Sequence, residues 1–285
     1  MKPYYEGWYM KQQQGDDVLA LIPGRAQDEA FIQVITQEKA YYLPFPLASF
    51  HHVSSAGAAS PHQVMRVGRS TFTPRGADLC IREPGINLEG SIRYRGLSPL
   101  RSDIMGPFGL IPMETKHTVF SMRHQVDGLV TLNGKPLRFN GAAGYMEGDR
   151  GHSFPRGYTW VQSVDLPGSA SVMLAVAEIP LAVIRFTGCI AVVLLNGTEH
   201  RFATYRGVRI VQADQEAVEI VQRDLALRIQ PLASRGHDLQ APDQGSMRRV
   251  IRESPAVPVR ITFARGGETL LDCVSERASY EHVSR

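Results

Sequence analysis

The chain has 285 residues, 43% of them hydrophobic and 21% charged, a composition that excludes a disordered chain and allows two ordinary domains or one large β domain. Its 31 basic and 28 acidic residues leave a net charge of +3. The nearest approach to a basic run, Met247-Arg248-Arg249-Val250-Ile251-Arg252, is too short for the concentrated stripe that nucleic acid requires, so no nucleic-acid partner is expected.

In chain order, the N-terminal Met1-Lys2-Pro3-Tyr4-Tyr5-Glu6 lacks the apolar core of a signal peptide. Strand-like runs follow at 18–22, 31–36 and 64–72, with a surface loop expected over 54–62. In 86–94, Ile86, Leu88, Ile92 and Tyr94 alternate with polar residues, as a strand with one buried face requires. Further runs lie at 119–126 and 129–132, then 172–177 and 189–195. Asn133-Gly134 and Asn196-Gly197 separate apolar runs, and Asn-Gly supplies the two positive φ values of a tight hairpin turn. The most apolar stretch, 171–197, is interrupted by Glu178, Pro180 and Arg185 and reads as core strands, with no transmembrane segment. Residues 208–211, 218–222, 225–230 and 259–263 complete the strand set; a helix over 212–223 competes, but β-branched residues weigh against it. Residues 234–258, rich in Gly, Asp, Gln and Pro, read as a long loop. Three cysteines, Cys80, Cys189 and Cys273, with no paired spacing point to a reducing, cytoplasmic setting.

Many short strands with turn punctuation favour an all-β fold, and closure into barrels would remove the long sheet edges. Gly7-Trp8-Tyr9-Met10-Lys11-Gln12 and Tyr158-Thr159-Trp160-Val161-Gln162-Ser163 form a faint internal echo, which divides the chain near residue 150 into an N-terminal barrel over 1–150 and a C-terminal barrel over 151–285.

Residues 141–158 hold the richest collection of chemistry: glycines, Glu147 and Asp149, His152, Ser153, Arg150 and Arg156. If this stretch is extended, Tyr145, Glu147 and Asp149 share one face, and a carboxylate pair there can divide into a proton donor and an acceptor. The competing reading pairs these acids with Arg150 and Arg156 to fix a turn. Gly151-His152-Ser153-Phe154-Pro155 approaches a nucleophile elbow, but Pro155 replaces the closing glycine. His51-His52 and the other histidines show no metal-ligand spacing, so no metal is expected.

Three ordered blocks resemble the tocopherol cyclase-like family. Tyr5-Glu6-Gly7-Trp8-Tyr9-Met10-Lys11 is similar to its opening segment. Asp103-Ile104-Met105-Gly106-Pro107-Phe108, then Pro112-Met113-Glu114 with His117, is similar to its central signature. Gly144-Tyr145-Met146-Glu147-Gly148-Asp149-Arg150-Gly151, with Phe154-Pro155 and Trp160-Val161-Gln162, resembles its third block. The resemblance implies two tandem lipocalin-like β-barrels that take a hydrophobic small molecule. It also implies cofactor-free ring closure on a prenylated hydroquinone, by protonation of an alkene and attack of a phenol oxygen on the cation. In that scheme Glu147 or Asp149 is the acid, with Glu147 preferred. Trp8, Tyr9, Tyr145 and Trp160 supply aromatic walls, and Glu6, Lys11, His117 and Gln162 orient the polar head. The chain departs from the pattern at Arg150, where the family carries Trp; a guanidinium there would repel a carbocation unless it turns outward. A carrier that binds such a molecule unchanged, with at most transient membrane-surface contact, is the alternative.

Overall fold

A computed structural model describes residues 4–53, 62–181, 184–233 and 236–284. The expected loop at 54–62 therefore lies outside the described residues, apart from His62. Among the described residues the strands of the first half are β1 (Tyr5–Gln14), β2 (Asp17–Arg25), β3 (Glu29–Thr36), β4 (Ala40–Pro46), β5 (Phe50–Val53), β6 (Val64–Val67), β7 (Ser70–Thr73), β8 (Gly76–Glu83), β9 (Ile86–Arg95), β10 (Thr115–Leu132) and β11 (Lys135–Gly151). The second half contributes β12 (Tyr158–Leu166), β13 (Ala170–Leu181), β14 (Ile184–Leu195), β15 (Thr198–Ala203), β16 (Arg209–Ala213), β17 (Val218–Gln222), β18 (Leu225–Pro231), β19 (His237–Asp243), β20 (Ser246–Arg265) and β21 (Glu268–Val283). No helix among the described residues is long and apolar enough to cross a membrane.

The fold is all-β, in two large antiparallel sheets. One runs β4-β3-β2-β1-β11-β10-β9-β8-β7-β6-β5; the other runs β15-β14-β13-β12-β21-β20-β18-β17-β16, with β19 paired to β20. The expected closed barrels correspond to open ladders among the described residues, because no pairing joins the two end strands of either sheet. Both Asn-Gly turns form as the sequence requires: Asn133 and Gly134 have φ of 50° and 84°, Asn196 and Gly197 of 49° and 74°. They join β10 to β11 and β14 to β15.

One sequence alternative is decided in favour of strands and one expectation is corrected. The competing helix over 212–223 is instead part of β16, a turn and β17, since Val218, Ile220 and Gln222 alternate inward. The long loop over 234–258 is instead largely β19 and β20. Its polar and proline-rich composition hid the alternation of Leu239 with Ala241, and of Ile251 with Glu253, onto buried positions.

The chain divides into two compact units. Unit 1 comprises Met1–Asp103, Thr115–Phe154 and Leu239–Val250; unit 2 comprises Ile104–Glu114, Pro155–Asp238 and Ile251–Arg285. Within unit 1 the late segment is held by a reciprocal pair of hydrogen bonds: Gln33 Nε2 donates to the Gln240 carbonyl (3.0 Å) and the Gln240 amide donates to Gln33 Oε1 (3.1 Å). Met247 adds apolar contact with Ala26 and Phe31. Within unit 2 the early segment is held where the Tyr205 hydroxyl donates to the Ile104 carbonyl at 2.9 Å. Each unit has its own core. Trp8, Met10, Leu21, Phe120 and Met146 belong to that of unit 1, and Val161, Leu174, Phe202, Ile229 and Phe263 to that of unit 2.

Candidate functional site

The site in unit 1 is built on β11 and its neighbours β1 and β10. Successive residues of a strand face opposite sides. Because Met146, Trp8 and Met10 enter the core, Tyr145, Glu147, Asp149, Tyr9 and Lys11 lie on the other face. Gly148 leaves room for core side chains to lie over β11: a Cβ there would come within 2.7 Å of the Phe120 ring and 3.0 Å of the Trp8 ring. The register sets the rows. Lys11 stands opposite Tyr145, Tyr9 and Val119 flank Glu147, and Gly7 and His117 flank Asp149.

That face is buried too. Lys11 and Tyr145 are fully covered, and Glu147 is 3% exposed. Charges so placed must be paired. His117 Nδ1 is hydrogen-bonded to Asp149 Oδ1 at 2.9 Å, and His117 Nε2 lies 3.2 Å from Glu147 Oε2. The second contact is close but misaligned for a hydrogen bond. The Tyr145 hydroxyl donates a short hydrogen bond to Glu147 Oε2. Burial pushes the His117 imidazole toward its neutral form, but the charges of Glu147 and Asp149 outweigh it and hold the pKa well above the ordinary histidine value. Tyr145 is also held well above the ordinary phenol range, first by burial and then by the charge of Glu147. The result is a contiguous Asp149–His117–Glu147–Tyr145 cluster in which an imidazolium sits between two carboxylates.

The expectation of no metal site rested on spacing along the chain, which could not bring His117 to Glu147 and Asp149. Ligand atoms of these three residues lie within 4.8 Å of one another, a grouping that could hold an ion. Each ring nitrogen of His117 faces a different carboxylate.

Other residues singled out in the sequence are distributed as follows. Trp8 is in the core, edge-on to His52 and Phe120 with centroids 5.5 Å apart in both cases, on the side of the sheet away from Glu147. Glu6 belongs to a separate cluster, bonded to Arg25 at 2.9 Å and to His52 at 3.1 Å. Burial raises the Glu6 carboxyl, but these two partners more than offset it and hold the group below its usual range. Arg150 is exposed, and alternation sends it to the face opposite Asp149. The cation acting on Asp149 is thus His117, which the sequence reading placed only as a head-group contact.

Unit 2 carries a second buried patch, on the face of β12 turned away from its core residue Val161. Trp160 stands between Ala175 and Glu281, and Gln162 between Met173 and Ser279. The Tyr158 hydroxyl donates a short hydrogen bond to Glu281. Tyr158 and Glu281 escaped the sequence reading as a pair because 123 residues separate them; the signal that could have found Glu281 is its place in the alternation of 278–282 with a core residue, Ala278, on the other face.

No family profile matches the chain, and no curated protein matches it by sequence. Solved structures share its fold. The structure of CghA with Sch210972 matches with a TM-score of 0.63 and 12% identity, over 99% of this chain and 88% of that one. Kievitone hydratase from Nectria haematococca matches with a TM-score of 0.54 and 9% identity, over the same 99% and 88%.

Proposed function

We propose that this protein takes up a hydrophobic small molecule of prenylated-quinol or isoprenoid type in its lipocalin-like β fold. On this reading it promotes addition across an alkene, as cyclisation, hydration or isomerisation, by proton transfer from the Glu147 cluster. The observation that carries this reading is the buried, contiguous Asp149–His117–Glu147–Tyr145 array. Its fold-likeness to a kievitone hydratase supports the same reaction class.

His117 stores the proton and Asp149 fixes its ring through Nδ1. Transfer from Nε2, 3.2 Å away, to Glu147 makes a neutral carboxylic acid that can act as the donor. The acid protonates the alkene, an internal hydroxyl or a water oxygen captures the cation, and the proton released by that oxygen returns to Glu147. In isomerisation the proton returns from carbon. Protons balance in each case, and no cofactor enters the scheme.

The test is single-turnover kinetics on a panel of prenylated quinols. Glu147→Gln is expected to lower the rate by about 10² to 10⁴, the usual worth of a general acid, with little change in substrate affinity. Asp149→Asn should give a smaller loss, because it acts through His117. Equal rates in parent and Glu147→Gln would remove Glu147 from the mechanism. A carrier is the second reading, favoured by the fact that both carboxylates are already paired with His117; binding without turnover across the panel would select it.

A further inference from the structure

Three buried glutamines, Gln33, Gln222 and Gln12, satisfy both ends of the side-chain amide, and Gln162 satisfies neither among the described residues. Gln33 holds both the amide and the carbonyl of Gln240 with its side-chain amide. Gln222 does the same to a peptide segment: its Nε2 donates to the Arg201 carbonyl at 2.9 Å and its Oε1 accepts from the Ala203 amide at 3.0 Å. Gln12 donates to the Met10 carbonyl at 2.8 Å and accepts from the Tyr94 hydroxyl at 3.3 Å. Gln162 is fully buried, yet neither its Oε1 nor its Nε2 has a hydrogen-bond partner among the described residues.

An amide left so costs the full desolvation of two polar groups, and buried side-chain amides are ordinarily paired. The side chain cannot escape to water, since β12 pins Gln162 between Met173 and Ser279. A third unpartnered atom lies on the same face: Ser171 Oγ, fully buried, two residues from Met173 along β13. On the β13 side of that face the neighbours are apolar, Met173 beside Gln162 and Ala175 beside Trp160; on the β21 side they are Ser279 and Glu281.

We infer that Gln162 is a recognition residue of unit 2, and that its open edge takes the carboxamide or lactam edge of a hydrophobic ligand. A side-chain amide presents one donor and one acceptor side by side in a plane. Its matching group presents an acceptor and a donor in the same way; Gln33 and Gln222 each find these in a backbone C=O and N–H of two different peptide groups. An ester or ether offers only acceptors and leaves Nε2 satisfied but Oε1 bare. Ser171 Oγ adds a hydroxyl able to donate or accept within the same face. This inference deepens the reading above, resting on uptake of a hydrophobic molecule but not on any proton transfer, so it is tested by binding.

Octanamide and methyl octanoate serve as probes, titrated calorimetrically into the full chain and into Gln162→Leu, with melting of each protein alone. Octanamide should bind the parent at least tenfold more tightly than methyl octanoate, because a site built for a polar edge rejects the analogue lacking it. Gln162→Leu should abolish that preference while leaving methyl octanoate unchanged or tighter. The ligand-free variant should melt at the parent temperature or above it, since it loses an unpaired buried amide. Equal binding of the two probes to the parent overturns the inference and leaves uptake of hydrophobic molecules standing. Binding of neither overturns both. A lower melting point for Gln162→Leu also overturns it, by showing that the amide is paired within the protein or with a structural water.

Discussion

The two units place equivalent rows of side chains on the same kind of surface and fill them differently. In each, the first strand lies between the second strand and the last, β1 between β2 and β11, β12 between β13 and β21. The rows then correspond: Tyr9 opposite Glu147 matches Trp160 opposite Glu281, and Lys11 opposite Tyr145 matches Gln162 opposite Ser279. One row further, Asp149 stands where unit 2 has Val283. A glutamate accepting a tyrosine hydroxyl is common to both, and unit 2 sets a second buried carboxylate, Glu253, opposite Glu281; in unit 1 the second carboxylate, Asp149, shares a histidine with the first. Unit 1 thus sets a histidine between its two carboxylates, whereas unit 2 holds, beside its glutamates, a neutral amide with no partner among the described residues. The first arrangement suits proton transfer and the second suits recognition.

The largest effect that could break this contrast is in unit 1. His117→Leu strands two carboxylates on a buried face, and a cost of about 3–5 kcal/mol is expected, as for removal of one partner of a buried ion pair. The pH dependence has a definite sign. The folded pKa of His117 lies above the unfolded value near 6.5, so its contribution is complete below pH 6.5 and is lost as pH rises through the raised pKa. Urea midpoints compared between pH 6 and pH 9 should fall in the parent and fall less in His117→Leu. An identical slope in both would show that His117 is not the imidazolium described.

On the core side of unit 1, His124 titrates in the opposite sense. It is buried against Tyr94, and burial, with Arg123 nearby, pushes its pKa down to about 3. The unfolded chain takes up the proton near pH 6.5, so stability is present above that value and is lost as pH falls toward about 3. The loss approaches about 1.4 kcal/mol per pH unit. His124→Phe should flatten the acid limb of the stability curve, and an unchanged limb would assign the acid loss elsewhere. Gly144→Ala probes the same ring, because a Cβ there would lie 2.3 Å from His124 Nε2. A destabilisation of about 1–3 kcal/mol is expected, typical of an overpacked core. Calorimetric melting of the variant measures it, and a cost below that range would show that the ring can move aside.

The smallest effect serves as a control between the units. Asn133→Ala and Asn196→Ala each force alanine into a left-handed position, at φ of 50° and 49°. Each should cost about 1–2 kcal/mol, the strain of that conformation without a short polar side chain. Equal losses in the two variants, read from urea midpoints, would show that the units differ in their buried faces rather than in their hairpins.

Much of the strand set was legible because its signals are local. The alternation of Ile86, Leu88, Ile92 and Tyr94 survives intact as buried positions of β9. The sequence echo was instructive in its error: it aligned Trp8 with Trp160, whereas the register matches Tyr9 to Trp160. A slip of one residue exchanges the two faces of a strand. Trp8 thus enters a core while Trp160 lies on the opposite kind of face, and no composition of six residues could have distinguished the two. Likewise, Glu147 and Asp149 were identifiable as sharing a face, but their partners were sought in neighbouring Arg150 and Arg156 rather than in distant His117.

By itself the sequence determined what depends on a few consecutive residues: the all-β class, the hairpins at Asn133 and Asn196, and the common face of Tyr145, Glu147 and Asp149. Turn chemistry and period-two alternation act within a single strand or turn, so the chain carries them without reference to its other parts. Only the tertiary structure decided which strand lies beside which, and so which charges meet. The pairing of β11 with β10 supplied the imidazolium that the carboxylates require, and the burial of β12 on its second face left the Gln162 amide without a partner. Both outcomes depend on registers set by packing over the whole of each sheet.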